Sequence, residues 1–250
     1  MAIPSPRPPA ASASPRAPCG SPSIAASPRS PPDSDGPDAM QTDTLIATLV
    51  ADRRRTAPET GPSWLLLALV AAALAGLVFF TAIGVRPDFA GALQTARFDF
   101  KFVVTGLLAV TAIVTMRAFS HPGEPLRRLW WLALPAGVML AAVLAELIAL
   151  PSDAWMAYLV GSNALMCLTA IPSMGAPALI VFLWALRRQA PTRPALAGGL
   201  AGLAAAAVAA IFYAAQCTDD SPLFVAVWYP LAASALVAAG ALLGWRLLRW

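Results

Sequence analysis

One histidine (His121), one lysine (Lys101) and three cysteines are the scarce side chains of this 250-residue chain. With one imidazole and one amine, a His-based triad or a histidine metal site has almost nothing to work with. The chain carries no P-loop, no dinucleotide fingerprint and no Ser-His-Asp set. It also carries no CxxC and no HExxH, so a dedicated structural zinc site is unsupported. Charge is scarce as well. Only 12% of residues are Asp, Glu, Lys or Arg, against about a quarter in soluble domains. Such a chain cannot cover a water-facing surface, which excludes an ordinary soluble enzyme.

What is present is apolar. Hydrophobic residues make up 58%, and mean hydropathy is +0.68. The chain nonetheless reads as two parts, because nearly half of its 24 prolines fall in residues 1–39. That Pro/Ser-rich head lacks any hydrophobic period and cannot bury enough apolar area to offset its chain entropy, so disorder is expected. It has no continuous apolar core of a secretory signal. Two readings of the head stand side by side: a Pro-rich docking tail, or translation upstream of a start at Met40.

Residues 40–63 form a second segment. Leu45, Ile46, Leu49 and Val50 recur with the period of one helical face, and Thr42 or Asp43 is placed to cap the first turn. Asp52 and the run Arg53–Arg54–Arg55 follow, then a breaker-rich linker. An amphipathic helix of this kind either lies on lipid headgroups or binds a partner protein.

From residue 64 the pattern is membranous. A span needs about 20 apolar residues. Six are expected, at Trp64–Ile83, about Lys101–Met116, Trp130–Leu150, a fourth ending at Leu186, about Ala195–Ala215, and Leu223 to about Leu248. The fold class is therefore an all-α, polytopic membrane protein of six transmembrane helices, with residues 64–250 as its body. Orientation follows from the basic residues. With the N-terminus inside, Arg53, Arg54, Arg55, Arg117, Arg127, Arg128, Arg187, Arg188, Arg193, Arg246 and Arg249 are inner, and only Arg86, Arg97 and Lys101 are outer. The positive-inside rule then predicts both termini inside. Asp88, Asp99, Asp153, Asp219 and Asp220 gather outside. Tryptophans 64, 130, 131, 228, 245 and 250 fall near span ends, as interface anchors. Gly198 and Gly202 form a GxxxG that reads as close helix packing.

The residues left for chemistry are few. Cys19 lies in the head. Cys167 stands twenty residues before Arg187, and Cys217 twenty-three after Pro194; at about 1.5 Å per residue both lie roughly 30 Å or more from the inner face. They are expected at similar heights near the outer boundary. A disulfide, a soft-metal pair helped by Asp219 and Asp220, and two small buried hydrophobes are all compatible with that placement. Pro172 and Pro177 interrupt the fourth span, and a kink there would shift Cys167 inward. Glu146, a turn inside the third span, either reaches the interface or serves a function within the membrane. Asp219 and Asp220 also read as an outer loop, with Asp or Ser capping the sixth span before Pro222.

The strings MQTDTLIATL, GVRPDFAGAL, RRQAPTRPALAGGLAGL, CTDDSPLFVAVWY and GWRLLRW, with Cys167 among them, together resemble the NrsF family. These are six-span anti-sigma factors of the bacterial inner membrane. The resemblance covers residues 40–250 and is most specific from Cys217 through Tyr229. It implies that the cytoplasmic N-terminal segment holds an extracytoplasmic-function sigma factor, which makes Leu45, Ile46, Leu49 and Val50 the partner face. It further implies that the paired outer cysteines, here Cys167 and Cys217, release the sigma factor under heavy-metal or oxidant stress, with Cys167 and Cys217 as transient metal ligands. No cofactor, no enzymatic activity and no direct contact with nucleic acid are expected, and membrane lipid is the other partner. The 39-residue head and Cys19 depart from the family pattern. The rival reading is a small six-helix transporter or channel, which calls for polar groups at mid-membrane or repeated helices; neither stands out in the sequence.

Overall fold

A computed structural model describes residues 42, 44–51, 63–121, 123–189 and 191–248. The head, Cys19 and the start at Met40 lie outside these residues. The chain divides into two units, Met1–Glu59 and Thr60–Trp250.

In the first unit residues 44–51 are helical (α1). Leu45, Ile46, Leu49 and Val50 are all more than half exposed. Thr42 is itself helical, inside the first turn rather than at its cap, and Asp43 lies outside the described residues.

Among its described residues the second unit has helices joined by turns and loops, and no strand. Its elements are α2 (Trp64–Ala82), α3 (Phe89–Ala92), α4 (Ala96–Phe119), a 3-10 turn at Leu126–Leu132 leading into α5 (Ala133–Ala149), α6 (Trp155–Val160), α7 (Ala164–Arg187), α8 (Pro194–Ala214) and α9 (Pro222–Leu247). Six of these helical stretches are long and apolar enough to cross a membrane. The helix starts follow local chemistry. Ser63 caps α2 by accepting from the Leu66 N–H at 3.1 Å. Ser221 caps α9, with Pro222 in the first turn where its missing N–H costs nothing, so serine rather than aspartate takes the cap.

The boundaries differ from the sequence reading in two places. The second span starts at Ala96, so Arg97, Asp99 and Lys101 lie within its first turns. The short helix α6, which the hydropathy pattern hid, precedes α7, where Gly161 (φ +58°) ends it in a conformation that suits glycine. Pro172 and Pro177 sit within α7, which continues as one helix from Ala164 to Arg187. Trp228 is more than an interface anchor, because its indole N–H donates to the Leu159 carbonyl at 2.9 Å and ties α9 to the end of α6.

Helix α8 is central and packs against α9, α4, α7 and α2. Its small residues explain why. A Cβ on Gly198 would collide with the Gly240 carbonyl oxygen and sit 2.8 Å from Gly244 Cα; one on Gly202 would collide with the Leu236 carbonyl. The GxxxG therefore joins α8 to α9 within the bundle. Gly198→Val is expected to lower stability by about 1–3 kcal/mol, the usual cost of overpacking, and a lower melting temperature in detergent checks it. Helix α5 is the opposite case. It buries only Pro135 and Glu146, so one carboxylate supplies much of its attachment to the bundle.

Candidate functional site around Cys217

The α8–α9 loop, residues 215–221, joins most of the helices that end at this side of the bundle, and each residue from 217 to 221 has its own task. The Cys217 N–H closes α8 on the Tyr213 carbonyl at 2.9 Å. The Cys217 carbonyl accepts from Lys101 Nζ of α4 at 2.8 Å and from Arg86 Nη1 at 3.3 Å. Thr218 Oγ1 accepts from Asn163 Nδ2 at 2.8 Å. Asp219 Oδ2 accepts from the backbone N–H groups of Ser162 and Asn163 at 2.9 and 2.8 Å, just ahead of α7. A carboxylate suits that place because the start of a helix presents unpaired N–H groups and a positive dipole end. Asp220 pairs with Lys101 at 2.5 Å and with Arg86 at 3.1 Å. Ser221 Oγ donates to Glu146 of α5 at 3.1 Å, and Arg97 of α4 pairs with the same Glu146 oxygen at 3.3 Å.

Glu146 is 5% exposed. The interface reading of this residue is therefore replaced by a buried clamp that holds α5 to α4 and to the cap of α9. Arg86 is bound by Asp88 at 2.6 Å as well as by Asp220. These bonds, with that to Asp88 the strongest, raise the Arg86 guanidinium above its ordinary range, and Arg86 holds the Asp88 carboxyl below its own. Asp219 and Asp220, expected as assisting carboxylates, are both committed to these protein contacts.

Cys167 lies in the first turn of α7, its N–H on the Asn163 carbonyl at 2.8 Å. Both cysteines are fully buried, unbridged and in one core cluster. The Cys217 thiol donates to the Asp219 carbonyl at 3.6 Å. Burial pushes the Cys217 thiol above its usual range, and the Lys101 ammonium pulls it part of the way back. Tyr213 and Tyr229 pack beside them with ring centres 5.8 Å apart. The Tyr229 hydroxyl is buried and has no hydrogen-bond partner among the described residues, a costly state for a polar group. No group of three or more His, Cys, Asp or Glu arranged for a metal occurs among the described residues. A cleft of about 440 Å³ opens beside the loop, lined by Thr95, Arg97, Ala157, Tyr158 and residues 218–221. It gives a small solute access to the loop's flank.

The structure thus brings Cys167, Cys217, Asp219 and Asp220 together at one end of the bundle. Leu45, Ile46, Leu49 and Val50 belong to the other unit. The sequence reading missed Arg86, Lys101 and Arg97 as parts of this site, having counted them only as charges on one side. The signal was available: the chain's single lysine falls inside an apolar helix, where an ammonium needs a partner.

A family model described as negative regulator of sigma F matches residues 49–250. The chain belongs to the NrsF family. The anti-sigma-F factor NrsF of Caulobacter vibrioides (strain NA1000 / CB15N) is 35% identical over 214 residues, covering 84% of this chain and all of that protein. The probable anti-sigma-F factor NrsF of Azospira oryzae (strain ATCC BAA-33 / DSM 13638 / PS) is 32% identical over 216 residues with the same coverage. No solved structure matches. The NrsF match includes both cysteines and the whole α8–α9 loop. It begins at Leu49, so Leu45 and Ile46 lie just ahead of it.

Proposed function

We propose that this NrsF-family chain is an anti-sigma factor of the bacterial inner membrane. Its N-terminal segment holds an extracytoplasmic-function sigma factor, and the Cys167–Cys217 end of the bundle controls release. The observation that carries the reading is similarity to anti-sigma-F factors NrsF along their whole length. The exposed apolar face of α1 supports the partner role, because Leu45, Ile46, Leu49 and Val50 are unsatisfied as a water-facing surface. A sigma factor held there is kept from RNA polymerase, so the chain acts on transcription without touching nucleic acid. As a regulator that works by holding and releasing a protein, it requires no catalysis.

The signal is read as a thiol-reactive agent. A soft divalent ion such as Cd²⁺ displaces one proton from each thiol and is held by two thiolates. A two-electron oxidant, for example a peroxide, instead takes both thiol hydrogens into water and leaves a disulfide. Either product pulls α7 and the α8–α9 loop together. A transport role gains no support from the charged groups within the spans, which sit in the end turns rather than at mid-membrane.

Orientation enters this account directly, since the sigma factor is inside the cell. The arginine asymmetry supports both termini inside. A reporter fused behind Trp250 is expected to behave as cytoplasmic, and one inserted at Ser152 as periplasmic. The opposite pattern at both sites would place α1 on the wrong side for a sigma factor. In cells lacking the chain, transcription from the sigma factor's promoters is expected to rise, and to fall again when the chain is restored; unchanged transcription would refute the regulatory role.

A further inference from the structure

We propose that Lys101 is the positioning residue for Cys217: its buried ammonium straps the α8–α9 loop to α4, so that a ligand on the Cys217 thiol is transmitted to α4. The proposal rests on the sensing role given to the thiols.

Lys101 is 0% exposed and lies in the second turn of α4. Its Nζ has two acceptors, the Cys217 carbonyl at 2.8 Å and the Asp220 carboxylate at 2.5 Å. Both belong to the same loop. Its third neighbour is the Phe98 ring, with the ring centre 5.2 Å away. Arg86 contacts the same carbonyl and the same carboxylate, but it also has Asp88. Lys101 has no such alternative among the described residues, which makes its charge depend on where the loop lies.

The Cys217 side chain is fully buried, so a reagent or ion reaches its sulfur only when the loop moves. Moving the loop removes the carbonyl and the carboxylate from Lys101 together. An ammonium stripped of both partners among apolar helices is strongly unfavourable. The first turns of α4 must then follow the loop or turn toward water. Arg97 couples this motion to α5 through Glu146. Helix α4 is 24 residues long, so as a rigid rod it reaches about 36 Å. Just past its far end Ser120 Oγ donates to Gln189 beyond α7 at 2.9 Å. Displacement of α4 therefore bears on contacts at the opposite end of the bundle. The small residues of α8 against which α4 packs offer a smooth surface for that shift.

The test uses the full chain in lipid nanodiscs, with N-ethylmaleimide as probe and the labelling of each cysteine read by mass spectrometry. Lys101→Met is expected to speed Cys217 labelling roughly tenfold, the order expected when a charge-assisted contact is removed from a local opening equilibrium. Cys167 should change by less than about twofold, because its helix keeps its own bonds. Lys101→Arg, which keeps the cation, should label at the wild-type rate. Asp220→Asn removes only one acceptor and should move Cys217 in the same direction, which preserves the test if Lys101→Met fails to insert. Unchanged Cys217 labelling in both variants overturns the strap, as does equal acceleration of both thiols, which would mark general loosening. In unstressed cells Lys101→Met should raise sigma-dependent transcription. Faster labelling with transcription still at its resting level overturns the transmission to α4. If labelling follows expectation but Cys217→Ser leaves induction intact, the sensing role fails and the strap itself stands.

Discussion

Replacing either Cys167 or Cys217 by serine is expected to abolish induction by Cd²⁺ while leaving repression in unstressed cells. The two thiols are buried in one cluster on separate elements, α7 and the α8–α9 loop. One sulfur alone provides neither a disulfide nor two soft ligands, so each single variant should behave like the double. A hydroxyl is a hard donor and a poor nucleophile at the same place. Serine also leaves a polar group in a site built for a thiol, at about 1–3 kcal/mol if it finds no partner. Alanine variants and immunoblots therefore accompany the serine variants. The measurement is the ratio of reporter output with and without Cd²⁺, expected to fall to about one while protein levels hold, as when a switch loses the differential affinity that drives it. Full induction in both single variants would make the cysteines packing residues and end the sensing account.

The second large effect is at the other end of the proposed pathway. Leu45→Asp together with Leu49→Asp should release the sigma factor constitutively. These residues sit one turn apart on the exposed face of α1. Each loses roughly 1.5–3 kcal/mol of apolar burial against a partner, and each carries an unpaired carboxylate into the interface. Two such losses lower affinity by several powers of ten, since every 1.4 kcal/mol is about tenfold. Insertion should be untouched, because Ser63 caps α2 independently of α1. Reporter output at the induced level without any stress is the expected reading. Silence with normal protein levels would place the partner surface elsewhere.

These two ends were not equally legible in the sequence. Spans are set by hydropathy, and the bundle reproduces all six, with α2, α8 and α9 within about a residue of their expected limits. Span two was misjudged because Arg97, Asp99 and Lys101 look like a polar flank. Lys101 and Arg97 lie within the helix because Asp220 and Glu146 neutralise them from other elements. Long-range pairing of that kind leaves no periodic trace. The similar depth of the two cysteines could be counted from the arginine end, and the structure brings both into one buried cluster. What the thiols touch could not be counted. Asp219 reaching back to Ser162 and Asn163, Ser221 holding Glu146, and the cation pair on the Cys217 carbonyl all join residues more than 50 positions apart. The same holds for Glu146, where distance from a span end suggested water and a serine–arginine pair holds it inside.

The central claim is that this chain holds a sigma factor through α1 and lets it go when the two thiols react. Co-isolation from membranes tests both halves at once. The tagged full-length chain is solubilised in mild detergent from cells with and without Cd²⁺, and the sigma factor that co-purifies is quantified by mass spectrometry. The account predicts near-equimolar sigma factor with the unstressed wild-type chain and little after Cd²⁺. It predicts little under either condition with Leu45→Asp/Leu49→Asp, and undiminished retention after Cd²⁺ with Cys217→Ser. Sigma factor retained equally by all of these samples, or absent from the unstressed wild type, would contradict it.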